Sequence, residues 1–75
     1  MKKILITGTS SGLGYQIAET LAKKYNIVGL SRSIGKAKNI NKKKFKFINL
    51  DLSNFKEFEK LNKIKHVDCL INNSA

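Results

Sequence analysis

A chain of 75 residues with one cysteine has room for a single small domain and excludes an internal disulfide. Fourteen lysines and one arginine against five acids give a formal net charge of +10, densest in GKAKNINKKKFK, residues 35–46. That run lacks the interleaved aromatics that stack bases and fits no helix-turn-helix or zinc-finger spacing, so it reads as a solvated surface rather than a nucleic-acid interface. No Cys/His cluster has metal-ligand spacing, and the MKKILIT start is too short in apolar residues for a signal core or a membrane span. A soluble, cytoplasmic protein without metal or membrane is expected.

The first element is KKILIT, residues 2–7, whose short continuous apolar centre predicts a strand buried on both faces. Leu13, Ile17, Leu21 and Tyr25 then recur every four residues, with Ala18 and Ala22 beside them. They predict a helix of about 13 residues with one apolar stripe. Lys23 and Lys24 fall in its expected last turn, where cations suit the helix dipole, and Asn26 can end it. NIVGLS, residues 26–31, predicts a second buried strand.

Residues 33–44 are ambiguous: Ile34, Ala37, Lys38 and Ile40 fit a short helix or an irregular crossover. FKFINL, residues 45–50, predicts a third strand. Beyond it, Ser53 or Asn54 can cap a helix, Asn54 and Glu57 have capping-box spacing, and Glu59 can pair with Lys63. Phe55, Phe58, Leu61 and Ile64 supply that helix's apolar side. VDCLIN, residues 67–72, predicts a fourth strand, with Cys69 as a buried small hydrophobe suited to a reducing compartment. His66, just before it and read as lacking acidic company, is expected on a surface turn.

The order β-α-β-(α)-β-α-β, with no proline and no linker, predicts parallel strands joined by right-handed crossovers. The fold class is α/β: part of a Rossmann-type doubly wound parallel sheet, four strands in spatial order 3-2-1-4, across residues 1–75.

Between the first strand and the first helix lies TGTSSGLG, residues 7–14. Gly8 ends the strand, and Gly12 and Gly14 open the helix. Glycine accepts the backbone angles of a sharp strand-to-helix turn, and without a Cβ the backbone can approach a pyrophosphate closely. The free N–H groups and the positive end of the helix then face the phosphate. Thr9, Ser10 and Ser11 add hydroxyl donors, and Gly14 lets the helix pack tightly on the strand. Leu13 after Gly12 excludes a P-loop, and Ile17 stands where G-x-G-x-x-G needs its third glycine. The pattern that fits is T-G-x-x-x-G-x-G.

Here the chain resembles the short-chain dehydrogenase/reductase family, over its whole length. Residues 7–14 look like the family's cofactor loop. Ser31, Arg32 and Ser33 stand at the end of the second strand, where the family reads the adenosine ribose. Asp51 and Leu52 resemble its Asp-Leu/Val pair beside the adenine. Asn72-Asn73-Ser74-Ala75 resembles its Asn-Asn-Ala-Gly, with Ser74 and Ala75 departing from it. The three-residue gap between Gly8 and Gly12 resembles the shorter, oxidoreductase branch. The resemblance implies a dinucleotide cofactor held by Gly8, Thr9, Ser10, Ser11, Gly12, Leu13, Gly14, Ser31, Arg32, Ser33, Asp51, Leu52, Asn73 and Ser74.

It also implies catalysis elsewhere. The family's Tyr-x-x-x-Lys does not occur, because Tyr15 is followed four residues on by Glu19 and Tyr25 by Gly29. No catalytic residue is assigned. The 75 residues are expected to be the cofactor-binding part without the catalytic part, and not to turn over substrate alone.

Arg32 chooses between cofactors. A carboxylate at the second strand's end would accept the ribose 2′-OH of NAD and repel a 2′-phosphate. Here Ser31 holds that place, about 17 residues beyond Gly14, and Arg32 follows with a guanidinium that can pair with phosphate. NADP(H) is therefore expected over NAD(H). Ser11, before Gly12, is not basic, so the second cation that some NADP-preferring relatives carry there is missing. Two other readings stand beside this one: a small nucleotide- or RNA-binding module without catalysis, and a truncated remnant. In both, the apolar fourth strand lies at an edge open to self-association or to a completing C-terminal half.

Overall fold

Four short apolar runs separated by polar crossovers give a sheet with a buried apolar cluster on each face. The computed structural model describes residues 2–51, 64 and 66–73. Strands β1 (Lys3–Thr7), β2 (Asn26–Ser31), β3 (Phe45–Asn49) and β4 (Cys69–Ile71) are all parallel, in the spatial order β3-β2-β1-β4. Helix α1 (Gly12–Leu21) joins β1 to β2, and a 3₁₀ helix, η1 (Gly35–Asn39), lies in the crossover from β2 to β3. The order is the one expected from the sequence. The remaining expectations for residues 52–63, including the caps at Ser53 and Asn54 and the stripe from Phe55 to Leu61, lie outside the described residues.

Strand alternation divides the core in two. Ile4, Ile27 and Phe45 are register partners in adjacent strands and are buried together with Ile6, Ala18, Ala22, Ala37 and Ile40. This face lies under α1 and η1. On the other face Val28, Leu30, Ile48 and Leu50 form a second cluster, against which Leu5 and Ile64 pack. Ile6 and Ile27 are the most completely buried isoleucines, and such burial contributes roughly 1.5–3 kcal/mol per side chain.

Three local readings are corrected. Regular α1 spans 10 residues, so Lys23 and Lys24 lie in the turn after it and Asn26 already opens β2. The cause is a tightened end: Lys24 N–H bonds to Leu21 O three residues back, while Tyr25 N–H bonds to the same carbonyl at 2.9 Å. This 3₁₀-type closure satisfies the last carbonyls and ends the regular helix. Tyr25 still packs on the core, as the periodicity required. Leu13, placed on the apolar stripe, is exposed, because Gly14 and Ala18 carry the buried face.

Cys69 is also exposed rather than buried. It pairs in register with Ile4, but α1 packs on β1 and β2 and η1 packs on α1, which leaves this end of β4 uncovered among the described residues. Finally, His66 sits at the surface as expected, yet it has acidic company: its Nε2 lies 2.9 Å from Asp68 Oδ1.

Two polar locks fix β4 to β1. At the amino end, Lys3 N–H donates to Asp68 Oδ2 at 2.8 Å, and Asp68 N–H donates back to Lys3 O at 2.8 Å. The Lys3 amide, and then the His66 side chain, hold the Asp68 carboxyl below the usual aspartate pKa. At the carboxyl end, the Thr7 hydroxyl donates to Asn72 Oδ1 at 3.0 Å and accepts from Asn73 N–H at 2.9 Å.

Thr7→Val keeps the shape of the side chain and removes both bonds, leaving a part-buried amide unpaired. It should lower the unfolding free energy by about 1–3 kcal/mol, as read by denaturant titration. Unchanged stability would show that the lock contributes nothing. Because Asp68 is depressed in the folded state, its contribution is complete above the ordinary aspartate range and is lost as pH falls through its folded value. Carboxyl NMR should place the Asp68 midpoint below that of free aspartate. Stability should also fall less steeply with acid in Asp68→Asn than in the unaltered chain.

Candidate cofactor site

The carboxyl ends of the parallel strands bring the predicted residues to one edge. Gly8 N–H donates to Leu30 O at 2.8 Å, which seats the glycine loop against the end of β2. Leu50 N–H donates to Ser31 O at 2.9 Å, which brings residues 50–51 beside the same end. Asn72 and Asn73 join it through Thr7. Thus Gly8 to Gly14, Ser31 to Ser33, Asp51 and Asn73 converge at the outlet of four strands. In open α/β sheets ligands bind there, outside the carboxyl ends of the strands. Leu52 and Ser74 lie outside the described residues.

The loop is built on close approach. Gly8 has φ 72° and Gly12 has φ 60°, both in the left-handed region that side chains resist. Gly14 is constrained by space instead: a Cβ there would collide with Gly8 O and come within 2.5 Å of Asn73 Nδ2. The first turn of α1 therefore rests directly on the end of β1. Asn73 fills the corner, donating from Nδ2 to Gly8 O at 3.3 Å. Both asparagine amides thus bond at the sheet's end, Asn72 to Thr7 and Asn73 to Gly8.

The outer side of the loop is open. A Cβ on Gly12 would meet nothing within 4 Å, and Ser11 and Leu13 are exposed. Ser11 is the N-cap of α1 in extended backbone, yet its side chain makes no capping bond. The first N–H groups of a helix have no intrahelical partner, so this uncapped turn presents donors and the positive end of the helix dipole to the open side. A diphosphate fits that chemistry.

The hydroxyls divide differently from the sequence expectation. Thr9 is fully buried, and its Oγ1 has no hydrogen-bond partner among the described residues. It packs against Gly29, where a Cβ would come within 2.7 Å of it. What Thr9 can offer a ligand is its backbone, and hydroxyl donation is left to Ser10 and Ser11. Tyr15 offers no base. Its hydroxyl donates to Glu19 Oε2 at 2.9 Å, and that bond, with burial and the carboxylate's charge, raises its pKa. Among the described residues no group of three or more His, Cys, Asp or Glu could hold a metal ion, and no helix is long and apolar enough to cross a membrane.

One feature escaped the sequence reading. Lys36 N–H donates to Ser10 O at 2.7 Å, tying the β2–β3 crossover to the middle of the glycine loop. Gly35, beside it, was the available signal: an isolated glycine in an otherwise undecided stretch marks a close backbone approach.

Comparison with known proteins agrees with this geometry. The model of the short chain dehydrogenase family matches residues 2–75. Among solved structures, a Bacillus thuringiensis protein assigned as a 3-oxoacyl-reductase is similar at 25% identity and a TM-score of 0.74, over 97% of this chain and 35% of that one. A short chain dehydrogenase from Leptospira borgpetersenii, with NAD+ bound, is similar at 31% identity and a TM-score of 0.69, over 95% of this chain and 30% of that one. A short-chain dehydrogenase/reductase from Burkholderia vietnamiensis, at 21% identity and a TM-score of 0.72, covers 97% of this chain and 39% of its own length and shares the fold. The chain thus spans between 30% and 39% of the length of these structures. No curated protein matches. The strand order, the glycine turn seated on β1 and the family match over residues 2–75 agree: the chain belongs to the short-chain dehydrogenase/reductase family.

Proposed function

We propose that these residues form the NADP(H)-binding portion of an oxidoreductase that moves hydride between a nicotinamide cofactor and a carbonyl or alcohol. The diphosphate lies at the open face of the loop, against the backbone of residues 9–14 and the uncapped start of α1. Ser10 and Ser11 add hydroxyls. Asp51 serves the adenine end, with Leu52 beside it. Asn73 holds the loop, and Ser74 is assigned to the cofactor through the resemblance to the family's Asn-Asn-Ala-Gly. When bound, the nicotinamide supplies the hydride chemistry. Nothing in these 75 residues is assigned to proton transfer. The cytoplasmic setting belongs to the same proposal.

The observation that carries the preference is the end of β2. Ser31 is held there by Leu50 N–H, and exposed Arg32 follows with no carboxylate in the position that would select a free 2′-OH. The Leptospira relative holds NAD+, which supports the dinucleotide class. The choice of the phosphorylated form rests on Arg32.

Arg32→Ala should weaken NADPH binding by roughly 1–3 kcal/mol and leave NADH nearly unchanged. Calorimetric titration of each cofactor against both proteins measures the difference. Equal weakening of the two cofactors would refute the assignment.

A further inference from the structure

We propose that the groove between the carboxyl end of α1 and the segment leading from η1 into β3 binds a small organic phosphate. It lies at the edge of the sheet opposite the glycine loop, and the proposal does not depend on the cofactor reading above.

Parallel neighbours receive their incoming segments on the same edge, so the chain entering β2 lies beside the chain entering β3. Ile27 N–H donates to Lys44 O at 2.7 Å, and Lys44 Nζ donates to Lys23 O at 3.1 Å. These bonds close a groove of about 640 Å³, within the size range of small-ligand clefts. Lys23 lines it from the α1 side, and Lys43 and Lys44 line it from the β3 side. Buried Ala22 and Ile40 add apolar surface to the same lining. The lysine run is thus divided by the fold, because Lys42 is exposed and does not line the groove. β2 spans six residues between the two edges, which separates this groove from the glycine loop by about 16 Å.

The lining selects an anion. Three lysines face one acid, Glu19, whose Oε2 already accepts from the Tyr15 hydroxyl at 2.9 Å. Lys23 and Lys43 have no ion pair among the described residues. The carboxyl end of a helix repels anions, but here its carbonyls are taken. Leu21 O accepts from Lys24 and Tyr25 N–H, and Lys23 O from the Lys44 ammonium. Asn41 Oδ1 accepts from Lys43 N–H at 2.9 Å, which leaves the donor half of that amide for a ligand. Ammonium groups are point charges and lack the planar fork that matches a carboxylate. Arriving from two sides, they suit a phosphate with several oxygens, and the apolar surface of Ala22 and Ile40 suits a small organic body attached to it.

The test follows amide NMR spectra of the isotope-labelled full chain titrated with phenyl phosphate, and with benzoate as the carboxylate comparison. We expect saturable shifts at Lys23, Asn41, Lys43 and Lys44, and tighter binding of phenyl phosphate than of benzoate. Lys43 holds its turn through the backbone N–H, so its side chain can be changed without cutting that bond. Lys44 is kept, because it holds the end of α1. Lys23→Gln and Lys43→Gln should each weaken phenyl phosphate by about 5-fold, the upper size of an exposed charge pair. Lys42→Gln should leave it unchanged, which separates a local contact from the loss of one unit of net charge. Thermal unfolding of each variant checks that the fold persists, and the shifts of the unaltered chain locate the site without any variant. Shifts confined to residues 8–14 would overturn the proposal, since the phosphate would then sit only on the glycine loop. Equal weakening by all three substitutions would overturn it in favour of diffuse charge, and benzoate binding as tightly as phenyl phosphate would overturn the phosphate class. None of these outcomes alters the discrimination between NADPH and NADH that tests Arg32.

Discussion

The contact on which the site depends is the one between the first turn of α1 and the Gly8 carbonyl. A side chain at position 14 would strike that oxygen, so only glycine lets the helix start directly on the end of β1. The consequence is electrostatic as much as steric. A helix that begins at the sheet's edge aims its unpaired N–H groups outward along the strands, at the place where parallel strands leave a crevice. A helix displaced by even one methyl group would move those donors away from the strand ends that carry Ser31, Asp51 and Asn73.

The proposed diphosphate site also has to hide its carbonyl oxygens, because their lone pairs repel phosphate. Gly8 O accepts from Asn73 Nδ2, Ser10 O from Lys36 N–H, and Ser11 O from Tyr15 N–H within the helix. The partners come from three different parts of the chain: the end of β4, the β2–β3 crossover and α1 itself. Each bond contributes only about 1 kcal/mol net, yet together they turn acceptors inward and leave donors facing out. Pre-organisation of this kind lowers the ordering cost of binding rather than adding contacts.

What the sequence made legible follows from this division. Strands β1 and β2 were readable because continuous apolar runs record burial on both faces, and β3 because Phe45, Phe47 and Ile48 stand out between exposed Lys46 and Asn49. The glycine turn was readable because its spacing has one mechanical meaning between a strand and a helix. Features set by partners distant in sequence were not. The exposure of Cys69 depends on where α1 and η1 lie, and its apolar neighbours in VDCLIN say nothing of that. Thr9 looked like a hydroxyl donor until the sheet placed it against Gly29. Asp68 is only two residues from His66, but its bond to Lys3 spans most of the chain. The end of α1 was misjudged because the same apolar period runs on through a tightened turn.

The crossover shows why its own pattern was ambiguous. Ala37 lies within η1, and Ile40, its extended C-cap, donates its N–H to Ala37 O at 3.0 Å; both are buried in the core. Neighbouring positions 36, 38 and 39 are exposed. The short helix and its C-cap thus close the core through Ala37 and Ile40 and leave Lys36 and Lys38 outside, while Gly35 and Lys36 grip Ser10. The tight geometry that left residues 33–44 open between a short helix and an irregular crossover is what allows the crossover to serve the core and the proposed cofactor edge together.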